Sequence, residues 1–200
     1  MKKSTINKHK QHTILLTGVP GVGKTTIAES LATQFNIPVV NFGSVLFTNI
    51  QKKHLHIKHV DDIRTQLNYS DYLKLQKTTA QDIAKVNGNK IITSHLSIDT
   101  PTGFKPGFPQ EIVDILKPSI VFIIESPVDE IKKRRLSDKT ERRRGQKLEN
   151  WIEFHQNYNR ALAANYSFYT GNYTYPILNK QGQLEQACDE ANHIVATILS

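Results

Sequence analysis

The sequence predicts a single α/β domain built on a parallel β-sheet. Short apolar runs, typical of buried strands, recur along the chain and are separated by stretches with helical spacing. The run "SIVFIIE" (Ser119 to Glu125) is apolar almost throughout, as expected for a strand covered on both faces. A chain that alternates strand and helix in this way forms a parallel sheet with right-handed crossovers. Its 200 residues suit one domain of this class.

The strands are predicted from these short apolar runs, and they total about five. The predicted strands are Thr13 to Thr17, Pro38 to Phe42, Lys90 to Ser94, Ser119 to Glu125 and Thr174 to Asn179. The last contains Pro176, which cannot donate to a ladder, so this segment suits a sheet edge or a strand start.

Helices are predicted in the gaps between the strands. The first starts near Lys24, because Ile27, Leu31 and Phe35 then fall on one side. The others are Asp71 to Val86, Pro127 to Leu136, Leu148 to about Ser167, and Leu184 to Leu199. With no internal repeat or low-complexity linker in the sequence, these elements predict three layers, with helices on both faces of the sheet.

The composition is that of a soluble globular protein, with 38% hydrophobic and 22% charged residues. The net charge of +8 favours solubility or an anionic ligand: a nucleotide, a nucleic acid or an acidic membrane surface. The single cysteine, Cys188, cannot form an internal disulfide, so a cytoplasmic location is the default. No apolar run is long enough to span a bilayer. Residues 1–12 are basic and polar and are predicted as a flexible leader to a domain at 13–200.

The stretch "GVPGVGKT" matches G-x-x-x-x-G-K-[ST], the phosphate-binding loop of the P-loop NTPases. Its glycines let successive backbone N–H groups surround an anion, and the helix that follows adds its positive dipole end. Lys24 is expected to reach the β- and γ-phosphates of ATP, and Thr25 to offer its hydroxyl to Mg²⁺. The predicted nucleotide-binding residues are Gly18, Val19, Pro20, Gly21, Val22, Gly23, Lys24, Thr25 and Thr26.

A small kinase is the P-loop enzyme that this sequence favours. GTPases usually carry N-K-x-D, and "NKQG" (Asn179 to Gly182) lacks the aspartate. Motors usually need a larger domain. Two further hypotheses stay open: a kinase for another small acceptor, and a nucleotide-dependent ATPase that binds RNA or protein.

Four segments in order, "TGVPGVGKTT", "VVNFGSVLF", "TPTGFKPGFP" and "ESPVDEIKKRRLSD", resemble the archaeal-type adenylate kinases. The likeness covers nearly the whole chain after the leader. It implies a P-loop fold with a five-stranded parallel core, an insert that binds the nucleoside monophosphate at about 41–86, and a short lid at about 137–147. It also implies phosphoryl transfer from MgATP to AMP and a homo-oligomer, usually a trimer.

The same resemblance places an acceptor site for AMP at Gly43, Ser44, Arg64, His95 and Thr100. Three of these residues have simpler interpretations. Ser44 suits a helix N-cap as well as a nucleotide ligand. Arg64 suits a solvated helix face, and His95 suits a structural hydrogen bond.

Much of the positive charge lies in one basic cluster: Lys132, Lys133, Arg134, Arg135, Lys139, Arg142, Arg143 and Arg144. A solvated helix face, a nucleic-acid patch and a phosphoryl-transfer clamp all suit such a cluster. No aromatic stacking platform accompanies it, which argues against nucleic acid, and its position after the fourth strand favours the clamp. The resemblance implies that Arg135 lies against the ATP adenine, Arg142 and Arg144 close over the phosphates, and Arg160 meets the transferring phosphate.

One position departs from the family pattern. Archaeal-type adenylate kinases commonly have an aspartate at the end of the third strand, where this chain has Thr93. The change weakens the expected hold on Mg²⁺-bound water. Glu125, which ends the fourth strand, either substitutes for that carboxylate or supplies a charge at the start of the next helix. No carboxylate base is expected for AMP, because its phosphate oxygen is already largely anionic at neutral pH.

Overall fold

The computed structural model describes residues 11–53, 57, 62–63, 67–100, 102–137 and 149–200. Its strands are β1 (Thr13–Thr17), β2 (Val39–Asn41), β3 (Lys90–Thr93), β4 (Ser97–Thr100), β5 (Gly103–Pro106), β6 (Ile120–Glu125) and β7 (Tyr173–Leu178). Five of them form one sheet in the order β2-β3-β1-β6-β7, in which every pairing is parallel. β4 and β5 form a separate antiparallel hairpin. The predicted α/β fold with five parallel strands is confirmed.

Helices cover both faces of the sheet. They are α1 (Lys24–Phe35), α2 (Phe42–Lys53), α3 (Tyr69–Ala84), α4 (Gln110–Leu116), α5 (Val128–Ser137), α6 (Glu149–Thr170) and α7 (Leu184–Leu199). One buried cluster joins α2, α3, α4 and the end of α6 to one face, and a second joins α1, α5 and α7 to the other. Successive strand side chains supply opposite clusters: Leu15 belongs to the first, and Ile14 and Leu16 to the second.

The predicted strands and long helices are confirmed to within a few residues. β7 is an edge strand, as Pro176 requires. Two helices were not predicted, α2 and α4, and neither was the β4–β5 hairpin. The interpretation of Ser44 as an N-cap is wrong, because α2 already begins at Phe42. The side chain of Asn41 takes that role and accepts the Ser44 N–H at 3.0 Å.

The ends of the central strands define where a ligand meets this fold. The chain runs from β1 to β2 on one side of β1, and later from β3 to β6 on its other side, so the crossovers that leave the neighbouring strands β1 and β3 run in opposite directions. In open α/β sheets such a switch point leaves a crevice beyond the carboxyl ends of the strands. The segments that leave these ends carry Gly18, His95 and Glu125, all of which are candidate site residues.

Several predicted segments fall partly or wholly outside the described residues. These include most of the basic leader and most of the lid, and part of the monophosphate-binding insert. At the start of the described chain, the His12 amide donates to Asn89 Oδ1 at 2.9 Å, and its ring lies 3.1 Å from Ser119 Oγ. Among the described residues, no helix combines the length and the apolar character needed to cross a membrane.

A buried polar network holds the β4–β5 hairpin against α6. Ser97 Oγ donates to Asn159 Oδ1 at 2.6 Å, so it accepts the N–H of His155 Nε2 at 2.8 Å. All three residues are almost fully buried. Burial lowers the pKa of His155 from 6.5 to about 4, with positive charge on Arg135 and Lys24 contributing, whereas Asp99 opposes the shift.

This buried histidine predicts that the fold loses stability in mild acid. Between pH 6.5 and 4 the unfolded chain binds a proton that folded His155 does not, so its contribution is complete above pH 6.5 and falls as the pH drops. We expect the free energy of unfolding to fall by about 2 kcal/mol between pH 7.5 and 5.0. Urea denaturation at the two pH values measures this free energy of unfolding. His155→Gln should flatten the dependence, and an equally steep change in that variant would contradict the assignment.

Candidate active site

The loop between β1 and α1 adopts a conformation that glycine alone accommodates readily. Gly18 and Gly23 have φ values of 143° and 93°. A Cβ added at Gly18 would overlap the carbonyl oxygen of Ile124, and one at Gly23 would overlap the Asn179 side-chain amide. Both positions therefore require glycine, because φ is positive and because neighbouring atoms leave no room for a Cβ. The helix α1 begins at Lys24, so its unpaired N–H groups follow the loop at once.

Alanine at Gly18 is expected to destabilise the protein by about 3 kcal/mol, since backbone strain and overlap with the neighbouring strand add together. Gly88 is the matched control: its φ is 80°, but no atom lies within 4 Å of an added Cβ. We expect Gly88→Ala to cost about 1 kcal/mol, from conformation alone. Urea denaturation of the two variants compares them. Equal losses would mean that the contact with β6 does not restrict position 18.

The cationic and hydroxyl groups of the motif lie at the mouth of the loop. The Lys24 ammonium donates to the carbonyl oxygens of Gly18 and Val19 at 2.8 and 3.1 Å. Thr25 and Thr26 are exposed in the first turn of α1. The side chains of Val19 and Val22 are buried in the core, so these two residues offer a ligand only their backbone. The valine side chains thus anchor the loop in the core, while its polar side chains remain accessible to a ligand.

Three side chains that were not among the predicted site residues support the loop. Asn179 Nδ2 donates to Val22 O at 2.8 Å, and Ser126 Oγ donates to Asn179 O at 2.7 Å. Arg134, a member of the basic cluster, donates to Ser126 Oγ at 3.0 Å and pairs with Glu130 at 2.8 Å. Asn179 belongs to "NKQG", considered above as an incomplete guanine motif, and here it supports the phosphate loop instead.

Arg135, the predicted adenine contact, lies against the loop itself. Its Nε donates to Pro20 O at 2.9 Å. Its Cγ would lie 3.3 Å from a Cβ added at Gly21, so the side chain packs directly on that glycine. The guanidinium is thereby held beside the nucleotide-binding loop. Its contact with adenine stays a prediction.

Arg160 forms a two-pronged ion pair with Glu125. Its Nε and one terminal nitrogen donate to the two carboxylate oxygens at 2.6 and 2.7 Å, and the other terminal nitrogen donates to Asn157 Oδ1 at 3.1 Å. The Glu125 side chain is 9% exposed and that of Arg160 56% exposed. Hydrogen bonding to Glu125 raises the pKa of Arg160 above its ordinary value. Of the two roles considered for Glu125, neither included this pairing.

A cavity of about 430 Å³ opens in front of the loop and continues to the β4–β5 hairpin. At the loop end its walls include Gly21, Lys24 and Thr25. Apolar side chains line another part of it, as expected where a base or another flat ring binds. Its apolar lining residues are Phe42, Leu46, Ile63, Leu67, Tyr72 and Ile98.

Four of the predicted acceptor residues line this same cavity: Gly43, Ser44, His95 and Thr100. His95 Nδ1 lies 2.9 Å from Gly18 O and so donates to it, which joins the cavity wall to the phosphate loop. Thr100 Oγ1 donates to Gly103 O at 2.6 Å and thus stabilises the hairpin turn. Thr93, at the position of the family's usual aspartate, also lines the cavity. Arg64, Arg142 and Arg144 lie outside the described residues.

The donor groups near the loop fit a magnesium ion held mainly by phosphate. Mg²⁺ at nucleotide sites takes one or two protein oxygens and completes its shell with phosphate oxygens and water. Thr25 offers one exposed hydroxyl in the cavity. Within the described ranges, no group of three or more His, Cys, Asp or Glu side chains is arranged to hold a metal. The ion is therefore expected to arrive with the nucleotide.

Comparison with known proteins identifies the family. A family model described as an AAA domain matches residues 17–153. The adenylate kinase of Thermoplasma volcanium is 36% identical over 181 residues, which cover 90% of this chain and 98% of that protein. The adenylate kinase of Methanoculleus marisnigri is 38% identical, with coverage of 88% and 94%.

Solved structures agree on the fold. Shikimate kinase from Bacteroides thetaiotaomicron superposes with a TM-score of 0.61 at 20% identity, and covers 92% of this chain and 98% of its own. Shikimate kinase from Aquifex aeolicus gives 0.53 at 16% identity, with coverage of 92% and 96%. At these identities the likeness shows the P-loop kinase fold alone. The sequence relatives show that this chain belongs to the adenylate kinase family.

Proposed function

We propose that the protein transfers the γ-phosphoryl group of MgATP to AMP and so interconverts ATP and AMP with two ADP. The observation that carries this proposal is one cavity lined both by the phosphate loop and by predicted acceptor residues. Lys24 and Thr25 line it from the start of α1, and Ser44 and Thr100 line it from α2 and the β4–β5 hairpin. A phosphoryl donor and a nucleotide acceptor bound from these two sides would meet in front of the loop. Direct in-line transfer requires that arrangement.

Phosphoryl transfer to AMP requires positive charge from the protein rather than a general base. The second pKa of a phosphate monoester is about 6, so the attacking oxygen of AMP is largely anionic at neutral pH. The barrier is then set by the placement of two polyanions and by their mutual repulsion. Lys24 is proposed to supply this charge, because it lines the cavity and the Gly18 and Val19 carbonyls orient its ammonium.

Arg160 is proposed as the second cation of the transfer. Its side chain is more than half exposed although Glu125 binds it in two places. A transferring phosphoryl group carries negative charge on its equatorial oxygens, which arginine N–H groups bind. Arg160 has five N–H donors, so those that Glu125 and Asn157 leave unused can bind phosphate while the ion pair stays intact. We assign Glu125 the role of holding Arg160 at the end of β6 before nucleotide binds.

Thr25 is proposed as the protein ligand of the Mg²⁺ that accompanies ATP. The ion supplies charge neutralisation between the β- and γ-phosphates when it is bound. Thr25 fixes where the metal sits relative to α1, and Lys24 beside it offsets further phosphate charge. With Thr93 in place of an aspartate, little carboxylate support for metal-bound water is expected at the end of β3.

The trimeric assembly and the cytoplasmic location stay predictions. Exposed large apolar side chains favour an assembly, because apolar surface on a folded chain commonly marks an interface. They are Phe168, Tyr169, Tyr173 and Leu178, of which Phe168 is 93% exposed. These residues lie at the end of α6 and on the edge strand β7. Light scattering on the purified protein should give three times the mass of one chain if the prediction holds.

The activity is tested directly with purified protein in a coupled assay. ADP should form only when ATP, AMP and Mg²⁺ are all present, and two ADP should appear for each AMP consumed. Omitting AMP separates transfer from slow hydrolysis of ATP. If no nucleoside monophosphate yields a diphosphate, the proposed function is wrong. ADP formed at the same rate without AMP would instead indicate an ATPase.

A further inference from the structure

Lys105 is a charged side chain in a part of the cavity that is otherwise mainly apolar. It lines the cavity together with Ile98 and Thr100 of the same hairpin. Lys105 and Ile98 are direct partners across the hairpin. Among the ion pairs of the described residues, none involves Lys105. A cation placed against apolar walls without a carboxylate points to a role in ligand recognition.

The packing of the hairpin decides which way Lys105 points. Neighbouring residues of a strand face opposite sides, so Phe104 and Lys105 are directed apart. Phe104 stacks on the ring of His155 at 4.4 Å and on those of Trp151 and Tyr158 at 5.1 Å each. These contacts with α6 hold one face of β5 in place. Lys105 is consequently held on the other face, which lines the cavity.

The position of Lys105 along the hairpin favours the base of an acceptor over its phosphate. The Gly107 amide donates to Leu96 O at 2.8 Å, beside His95, which contacts the phosphate loop. Lys105 is two residues farther along the hairpin, toward its turn. The phosphate of a nucleoside monophosphate must meet the donor near Lys24, so its base extends toward the hairpin. The ammonium then faces the polar edge of that base.

The hydrogen-bonding capacity of lysine selects among the bases. An ammonium has three donors and no acceptor. Adenine offers the acceptor N7 but carries a donating amino group at position 6 next to it. Guanine and hypoxanthine offer two adjacent acceptors, N7 and O6, which lysine and arginine commonly bind together. We propose that Lys105 is a specificity residue that extends the acceptor range from AMP to 6-oxopurine nucleoside monophosphates, of which GMP is the test ligand.

This inference rests on the proposed function and is tested with the same assay. We expect the wild type to phosphorylate GMP as well as AMP. Lys105→Met should lower the ratio of kcat/KM for GMP to kcat/KM for AMP by about 10-fold. The reason is that the lysine contact with N7 and O6 of guanine is lost. Lys105→Arg keeps the donors and should retain most of that ratio. Lys74→Met, on the exposed part of α3, is the matched control and should leave it unchanged.

The possible outcomes distinguish a failure of the proposed role of Lys105 from a failure of the proposed kinase activity. An unchanged GMP-to-AMP ratio in Lys105→Met, or a wild type that leaves GMP untouched, would overturn the role of Lys105 while AMP turnover stands. A protein that phosphorylates no nucleoside monophosphate would refute the proposed function instead. Calorimetric titration of GMP and AMP into wild type and Lys105→Met measures the same ratio as dissociation constants. It decides the inference even without turnover.

Discussion

Lys24→Met is expected to lower kcat by about a thousandfold, the loss that follows when one preorganised charge is removed from a phosphoryl-transfer site. Methionine matches the length of the side chain but has no charge and no donor. The Gly18 and Val19 carbonyls that hold the ammonium in place would then have no cation in front of them. Because the charge acts on the transition state more than on bound ATP, kcat should fall more than the affinity for ATP.

Two measurements accompany this variant. Lys74→Met removes a lysine whose side chain is 74% exposed, and it should keep wild-type kcat. Thermal unfolding of Lys24→Met should lie within a few degrees of wild type, because a partly exposed ion over carbonyls contributes about 1 kcal/mol. A loss of kcat below about tenfold would mean that the loop does not cradle the transferring phosphates.

The parallel sheet could be predicted because its strands are recognisable one at a time. Each of β1, β3 and β6 is a short, wholly buried run, and local hydrophobicity is enough to find it. The helix α2 escaped prediction for a local reason as well. The stretch "NFGSVLF" contains a glycine and a serine near its start, which favour a loop, but Phe42, Leu46 and Ile50 are all buried at helical spacing.

The contacts that organise the site could not be predicted in the same way. Glu125 and Arg160 are separated by 35 residues, and each was assigned a role without the other. The bond from Asn179 to Val22 O spans 157 residues. Side-chain pairing at such separations depends on tertiary packing and leaves no periodic signal in the sequence. The motif located the phosphate loop, whereas its bracing by Asn179, Ser126 and Arg134 required the structure.

Arg160→Ala is expected to cost both stability and activity, and Glu125→Gln separates the two effects. Removing Arg160 leaves a carboxylate that is 9% exposed without its two strongest hydrogen bonds. A buried charge without its partner costs about 3 kcal/mol. If Arg160 also meets the transferring phosphoryl group, kcat should fall by about 100-fold or more. Urea denaturation measures the first loss and the coupled assay the second.

Glu125→Gln keeps the shape of the side chain and one acceptor for Arg160, and it leaves no buried charge. We expect a cost in stability of about 1 kcal/mol and a kcat within about tenfold of wild type, because the arginine remains available to phosphate. The double variant should recover part of the stability lost in Arg160→Ala, since the uncompensated carboxylate is gone. It should recover none of the activity.

This pattern distinguishes the two possible roles of Glu125. A carboxylate that only holds Arg160 can be replaced by an amide without changing the Mg²⁺ dependence of the rate. A carboxylate that orients metal-bound water cannot, because an amide accepts fewer hydrogen bonds and carries no charge. If Glu125→Gln loses as much kcat as Arg160→Ala and needs more Mg²⁺ for half-maximal rate, Glu125 substitutes for the aspartate that Thr93 replaces. In that case Glu125 would be the residue that holds metal-bound water, and its ion pair with Arg160 would describe the protein before nucleotide binds.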